Sequence, residues 1–248
     1  EENKMLTWIV FKNILLKDIK AYYLKPPNIS WGLLFPISWT LMFFLRTDTP
    51  VDIPEFLPGL ISLAILFGTT SMLAVTITFE KKQAAFDRLL LAPIGLNVLM
   101  FAKTTGAILF GVFNAMVPLI LAVLLTDLSG ISWFPALASI LLISITSTFL
   151  GLFIAVSVKE VFEAQTYSNF IRFPMIFLCG LFFPIDGLPL FIRPLSYILP
   201  VTYGADILKF SILGEHNISL WINFTLLFVF AIVLFTISVR KIKSKWIK

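Results

Sequence analysis

Residues 79–103 read F-E-K-K-Q-A-A-F-D-R-L-L-L-A-P-I-G-L-N-V-L-M-F-A-K, a charged, helix-forming patch caught between two long apolar runs. A helix through residues 80–91, opening on Glu80, sets Phe86, Leu89 and Leu90 on one side and leaves Lys81, Lys82 and Arg88 to water. That pattern suits a docking surface and not a membrane span. Pro93 and Gly95 then break the helix, and the chain turns back into the next apolar run at Val98. Between two spans, such a segment is either a place where a soluble partner pushes or a solvated connection, and the pattern allows both.

Composition places the runs on either side in a bilayer. Of 248 residues, 58% are apolar and 13% charged, with mean hydropathy +0.96, so charge falls to roughly half the share of an ordinary globular chain. This is the composition of a multi-spanning, all-α membrane protein, and the 26 phenylalanines suit helix-packing and lipid-facing surfaces. The single cysteine, Cys179, excludes an intrachain disulfide and a cysteine-built metal site. A formal charge of +5 would suggest nucleic acid in a soluble protein. Here its meaning depends on where the cations lie relative to the bilayer, and no nucleic-acid partner is expected. No cleavable signal peptide is expected, because a long basic amphipathic segment precedes the first apolar run.

Residues 4–25 place Trp8, Phe11, Leu15, Ile19 and Tyr22 at spacings of three and four, with Asn13, Lys17 and Lys20 on another face. This predicts a helix lying in the membrane interface. Pro26 and Pro27 end it. Spans are expected at residues 30–45, 56–79, 96–126, 133–158, 167–183 and 220–239, the fifth interrupted by Pro174 and Gly180. Residues 184–204 hold Pro184, Asp186, Gly187, Pro189, Pro194, Pro200 and Tyr203 among apolar neighbours. The stretch is too broken to span as one helix and too apolar to float in water. A re-entrant pair of short helices accounts for both properties, and an external loop with one surface helix is the alternative.

Positive residues are retained on the cytoplasmic side of short loops. With both termini cytoplasmic, sixteen of the nineteen lysines and arginines fall inside, and only Arg46, Arg193 and Lys209 outside. That asymmetry predicts six spans with both ends in the cytoplasm.

No catalytic set is visible. The one histidine, His216, lies in an external polar turn without a partner for a metal site or a triad. No G-x-x-x-x-G-K-[ST] phosphate loop occurs, so the chain should carry no ATPase site of that kind. The span interiors are poor in ionisable groups: Lys159, Glu163 and Arg172 lie near the inner end of the fifth and no other span holds a central charge, whereas ion-coupled carriers place such groups at mid-membrane. The energy for transport is therefore expected from elsewhere. Thr69, Thr70, Ser71, Thr76, Thr78, Ser144, Thr146, Ser147 and Thr148 suit close helix packing, while Asn114 is an amide that must find a partner. Asn217-Ile-Ser219 and Asn223-Phe-Thr225 match a glycosylation acceptor pattern that is common by chance.

With these residues in place, the chain resembles the membrane subunits of the ABC-2 class of ATP-binding-cassette exporters. The resemblance rests on F-E-K-K-Q-A-A-F-D-R-L-L-L-A-P-I-G after the second span, on Lys103 opening the next, and on F-P-I-D-G-L-P-L-F-I-R-P-L-S-Y-I-L-P-V-T-Y-G-A-D before the last. One departure is Ala85-Phe86, where many members have Gly-Thr. The resemblance implies a single transmembrane domain over residues 1–248, with an interfacial helix at 4–25, a coupling helix at 80–93 and a re-entrant segment at 184–204. It implies a permease that pairs with a second copy or a related permease, each resting on an ABC ATPase subunit that binds ATP and magnesium. Glu80, Lys81, Lys82, Phe86, Arg88, Leu89, Leu90 and Pro93 would then form the ATPase-coupling surface, completed by the amphipathic start and the turn at 159–165. The re-entrant segment would gate the outer end of a path for a hydrophobic drug, lipid or lipid-linked glycan. Two other readings remain open on residues alone, an ion-coupled carrier or channel without an ATPase and a structural membrane protein.

Overall fold

Long apolar runs with no water-facing stripe fold as helices because a helix satisfies every backbone polar group within its own segment. A computed structural model of the chain describes residues 2–25, 53–92 and 94–247, with isolated positions at 34, 37, 38, 41 and 42. The span expected at 30–45 and the acidic loop after it lie outside the described residues, apart from those positions and the first turn of the helix that follows. The described elements are all helical. They are α1 (Glu2–Asp18) with a wide π turn (Ile19–Tyr23), α2 (Ile53–Lys82), α3 (Ala85–Leu90), α4 (Leu96–Leu125), α5 (Trp133–Ala155), α6 (Val161–Leu178), a 3₁₀ turn (Ile185–Gly187), α7 (Arg193–Ile198), α8 (Pro200–Leu213) and α9 (Leu220–Lys245).

Among these, α2, α4, α5 and α9 are long and apolar enough to cross a membrane. The expected fifth span differs: α6 begins six residues early and carries Glu163, Gln165, Asn169 and Arg172, too polar a content to stand with the other four. Pro174 does not interrupt it. The helix runs through to Leu178 and stops where Gly180 takes φ +73°, a left-handed conformation open to glycine.

α2 is the central element, packed by α4, α5, α6 and α8, and 78% of its apolar window is buried; the corresponding share for α9 is 22%, which marks α9 as peripheral. Small residues bring the central backbones together. A Cβ on Gly151 of α5 would lie 2.4 Å from the Thr70 carbonyl oxygen of α2, and the Thr70 hydroxyl donates to the Ser147 carbonyl at 3.3 Å. Ser139 donates to the Gly204 carbonyl at 2.8 Å, joining α5 to α8. Most of the other buried hydroxyls, such as Thr69, Thr78 and Ser144, donate to the carbonyl four residues back in their own helix. Asn114 departs from expectation: it is fully buried against Gly68, and neither amide atom has a hydrogen-bond partner among the described residues.

Gly151→Val should be among the most damaging single changes in the bundle. Two methyls against the backbone of Thr70 overpack the α2–α5 seam by about 1–3 kcal/mol, and a lowered midpoint in thermal unfolding of the detergent-solubilised chain checks it.

Candidate functional site

The charged patch sits at one end of the bundle, and its parts separate there. α2 continues through Lys82, so Glu80 and Lys81 belong to the long central helix and not to a separate surface helix. Gln83 and Ala84 form a turn in which Ala84 is left-handed, φ 55°, and the short α3 follows. A continuous helix over residues 80–91 is thus corrected to the end of one helix, a sharp joint and a second helix. The faces read by periodicity survive the joint: Phe86, Leu89 and Leu90 turn inward, Lys82 and Arg88 face outward, and only Lys81 is half-buried. Phe86 is fully buried, its ring edge-on to Trp246 at 5.0 Å, and Leu89 and Leu90 are half-buried against the same cluster. The outward surface is made by Lys82, Gln83, Ala84, Asp87, Arg88 and Leu91, the last 85% exposed. Leu91 was not among the residues expected there. Pro93 lies outside the described residues.

Glu80 has a different role from the one its position suggested. It is buried at the meeting of three segments, where its carboxylate pairs with Lys103 of α4 and with Lys17 of α1 at 2.6 Å. Lys103, with its side chain fully buried, also donates to both oxygens of Asp18 at 2.8 and 3.0 Å, and Lys17 closes the ring to Asp18 at 3.0 Å. The Tyr22 hydroxyl adds a donor to Glu80 at 3.3 Å. Two ammonium groups and two carboxylates therefore balance, with Asp18, Glu80 and Lys103 buried and Lys17 reaching in from the surface, the condition under which buried charge is tolerated. Burial opposes charge on Lys17, but its bonds to Glu80 and Asp18 outweigh this and hold its pKa above the ordinary lysine value. A lysine raised in this way loses its contribution only as pH climbs beyond its unfolded value, so the Lys17 charge is intact across neutral pH. Burial, followed by the charge on Glu80, pushes the Tyr22 phenol up to about 12.

The amphipathic start is a helix as expected, rotated from the predicted face. Ile14, Asp18 and Tyr23 are the buried positions, Tyr23 over Gly106 of α4, while Trp8 is 64% exposed. Asp18 drew no attention in sequence because its partner Lys103 lies 85 residues away. The turn at 159–165 is also tied in: Lys82 pairs with Glu160, and Lys81 pairs with Asp87 and lies over the Trp246 ring at 5.3 Å. Glu163 accepts the backbone N–H groups of Lys159 and Glu160, which hold its carboxyl below the usual range and start α6.

At 184–204 the chain forms short helices, as expected, but α8 runs past Gly204 to Leu213. Pro194 and Pro200 stand in the first turns of α7 and α8, where a missing N–H costs nothing. Pro184, Asp186, Gly187, Pro189 and Pro194 are exposed, whereas Pro200 and Tyr203 are buried, with the Tyr203 hydroxyl donating to the Tyr197 carbonyl at 2.6 Å. Arg193 braces the turn through the carbonyls of Leu188 and Asp186. Asp206, which closes the quoted segment but has no role predicted there, accepts from the backbone of Asn217 and Ile218 and from the Asn223 amide at 2.7 Å. Asn223 is consequently buried and bonded, which removes it as a glycan acceptor. Arg172 is likewise displaced from expectation, since it lies well inside the bundle between α6 and α2 and leaves the tally of cations at the helix ends.

The profile of the family described as ABC-2 type transporter matches residues 9–213. The inner membrane transport permease YadH of Escherichia coli (strain K12) is 24% identical over 240 residues, 94% of each chain. Nodulation protein J of Bradyrhizobium diazoefficiens is 24% identical over 255 residues, 97% of this chain and 91% of its own. The probable multidrug ABC transporter permease YbhR of Escherichia coli (strain K12) is 23% identical over 176 residues, 66% of this chain and 46% of its own.

Lys103→Met strands two buried carboxylates with one ammonium and should lower stability by about 3–5 kcal/mol. The double change Glu80→Gln with Lys103→Met, which restores charge balance around Lys17 and Asp18, should recover part of the loss; thermal unfolding of the three proteins measures it.

Proposed function

We infer that this chain, which belongs to the ABC-2 type transporter family, is the membrane gate of an exporter driven by a separate ATP-binding-cassette subunit. It is a membrane transport permease of an ABC system. The observation that carries the coupling assignment is the exposed joint formed by Gln83, Ala84, Asp87, Arg88 and Leu91. That joint is braced from behind by the ion-paired ring of Lys17, Asp18, Glu80 and Lys103. A surface that receives force must be exposed on one side and rigid on the other, and this one has both properties.

On this reading the ATPase subunit, with ATP and magnesium bound in its own site, presses on the joint, and the ion-paired ring passes the displacement to α1, α2 and α4 together. Lys82 and Glu160 extend the contact to α6. The partner must favour one arrangement of the helices over the other, because equal binding to both shifts nothing. The exposed Met5, Leu6, Trp8, Ile9 and Leu16 on α1 fit a helix lying in the headgroup layer. Six spans with both termini cytoplasmic, a permease dimer and a gate over residues 184–204 complete the scheme. The cargo is hydrophobic or amphipathic, which accords with one relative's name as a probable multidrug permease.

Co-expression with the ATPase subunit of its own source tests the assignment. Arg88→Glu and Leu91→Asp should each reduce co-purification of the ATPase at least ~10-fold, about 1.4 kcal/mol, without changing the permease's melting temperature. Phe86→Ala should instead lower the melting temperature, because Phe86 packs inward. Undiminished capture by both surface variants overturns the coupling surface.

A further inference from the structure

The ring at the foot is charge-balanced, and one other buried cation is not. Arg172 is 2% exposed and its guanidinium is held between α6 and α2. Nη1 donates to Ser71 at 3.1 Å, Nη2 donates to Asn169, and the plane stacks over Phe67 at 4.1 Å. Its Nε is buried without a hydrogen-bond partner, and among the described residues no carboxylate lies within ion-pairing distance. Both Arg172 and Ser71 stand eleven residues from the nearby helix ends at Val161 and Lys82, which puts them roughly 16 Å into the bundle. A solvated lysine at the bilayer edge needs no explanation, but a desolvated guanidinium at this depth does, because neutral partners and one ring only partly offset the lost hydration.

The surroundings are laid out for an anion with a hydrocarbon tail. Gln165, Asn169 and Arg172 fall on one stripe of α6, and Asn169 also accepts from Gln165 at 3.4 Å. Beside the stripe, Phe173 is 52% exposed and meets Phe67 edge-on at 6.5 Å. A forked, permanently charged donor suits the oxygens of a phosphate or carboxylate, and the phenylalanines suit an alkyl chain.

We propose that the α2–α6 seam is a binding site for an anionic amphiphile, with the headgroup on Arg172 and the chain along Phe173. This rests on the reading of the chain as a permease and narrows its cargo to amphiphiles with a negative headgroup. Binding itself requires no ATPase.

Thermal unfolding of the full chain in a neutral maltoside detergent tests it, with dodecyl phosphate, dodecanol or inorganic phosphate added. Dodecyl phosphate should raise the midpoint by several degrees, and the other two should not. Arg172→Gln should weaken the dodecyl phosphate response at least ~10-fold, about 1.4 kcal/mol. Arg172→Lys should keep part of it, and Lys243→Gln on the exposed end of α9 all of it. Asn169→Asp supplies the missing counter-charge from within, so it should raise the midpoint without ligand and abolish the response. Equal stabilisation by dodecanol overturns the anion, and equal stabilisation by inorganic phosphate overturns the amphiphile. A response unchanged in both Arg172→Gln and Asn169→Asp overturns the site; if Arg172→Gln does not fold, Asn169→Asp alone decides. The coupling assignment is read from ATPase capture, so either result can fail without the other.

Discussion

The pairing of Lys103 with Glu80 and Asp18 is the constraint on which the rest of the arrangement depends. Apolar helices in contact gain from burial and dispersion, which are weakly directional and tolerate sliding by a fraction of a turn. Buried charges do not tolerate it. The four members come from three stretches of chain, Lys17 and Asp18 on α1, Glu80 on α2 and Lys103 on α4, and the three buried ones cannot be buried until their counter-charges arrive. The ring therefore selects one mutual placement of three helices, and the joint at Gln83 and Ala84 inherits its position from that placement.

The long spans were legible in the sequence because their apolar runs outlast any soluble alternative, and α2, α4, α5 and α9 stand close to where the runs predict them. The charged interruption at residues 79–103 was legible as a place of interest, but its internal geometry was not. Gln83, Ala84 and Ala85 are good helix formers with no turn signal among them. The break is imposed from outside, by Phe86 packing under Trp246 and Lys82 reaching Glu160. Local propensity does not register a pull that originates 160 residues along the chain.

The same reason hid Asp18 and Asp206. Each is a carboxylate in a short polar context that reads as ordinary surface, and each is buried because of groups distant in sequence or brought round by a turn. Arg172 misled in the opposite way. Counted with the cations that fix orientation, it is withdrawn into the bundle by Ser71 and Phe67 of α2. Charge counting treats every cation as solvated, so it fails at the positions where a cation is not. The distribution of the remaining basic residues is unaffected, since those of the foot and of the end of α9 stay together at one end of the molecule.

The contact of Gly151 with the Thr70 carbonyl has a mechanical consequence. Two backbones this close at Gly151, with a hydroxyl of one bonded to a carbonyl of the other beside it, cannot slip lengthwise past each other without a clash there. α2 and α5 are in effect a single double-stranded rod, and a thrust delivered at its tip must be relieved along its flanks. The flank toward α6 is lined by a cation, an amide and aromatic rings instead of a glycine contact, so its packing resists such relief less than the seam with α5 does.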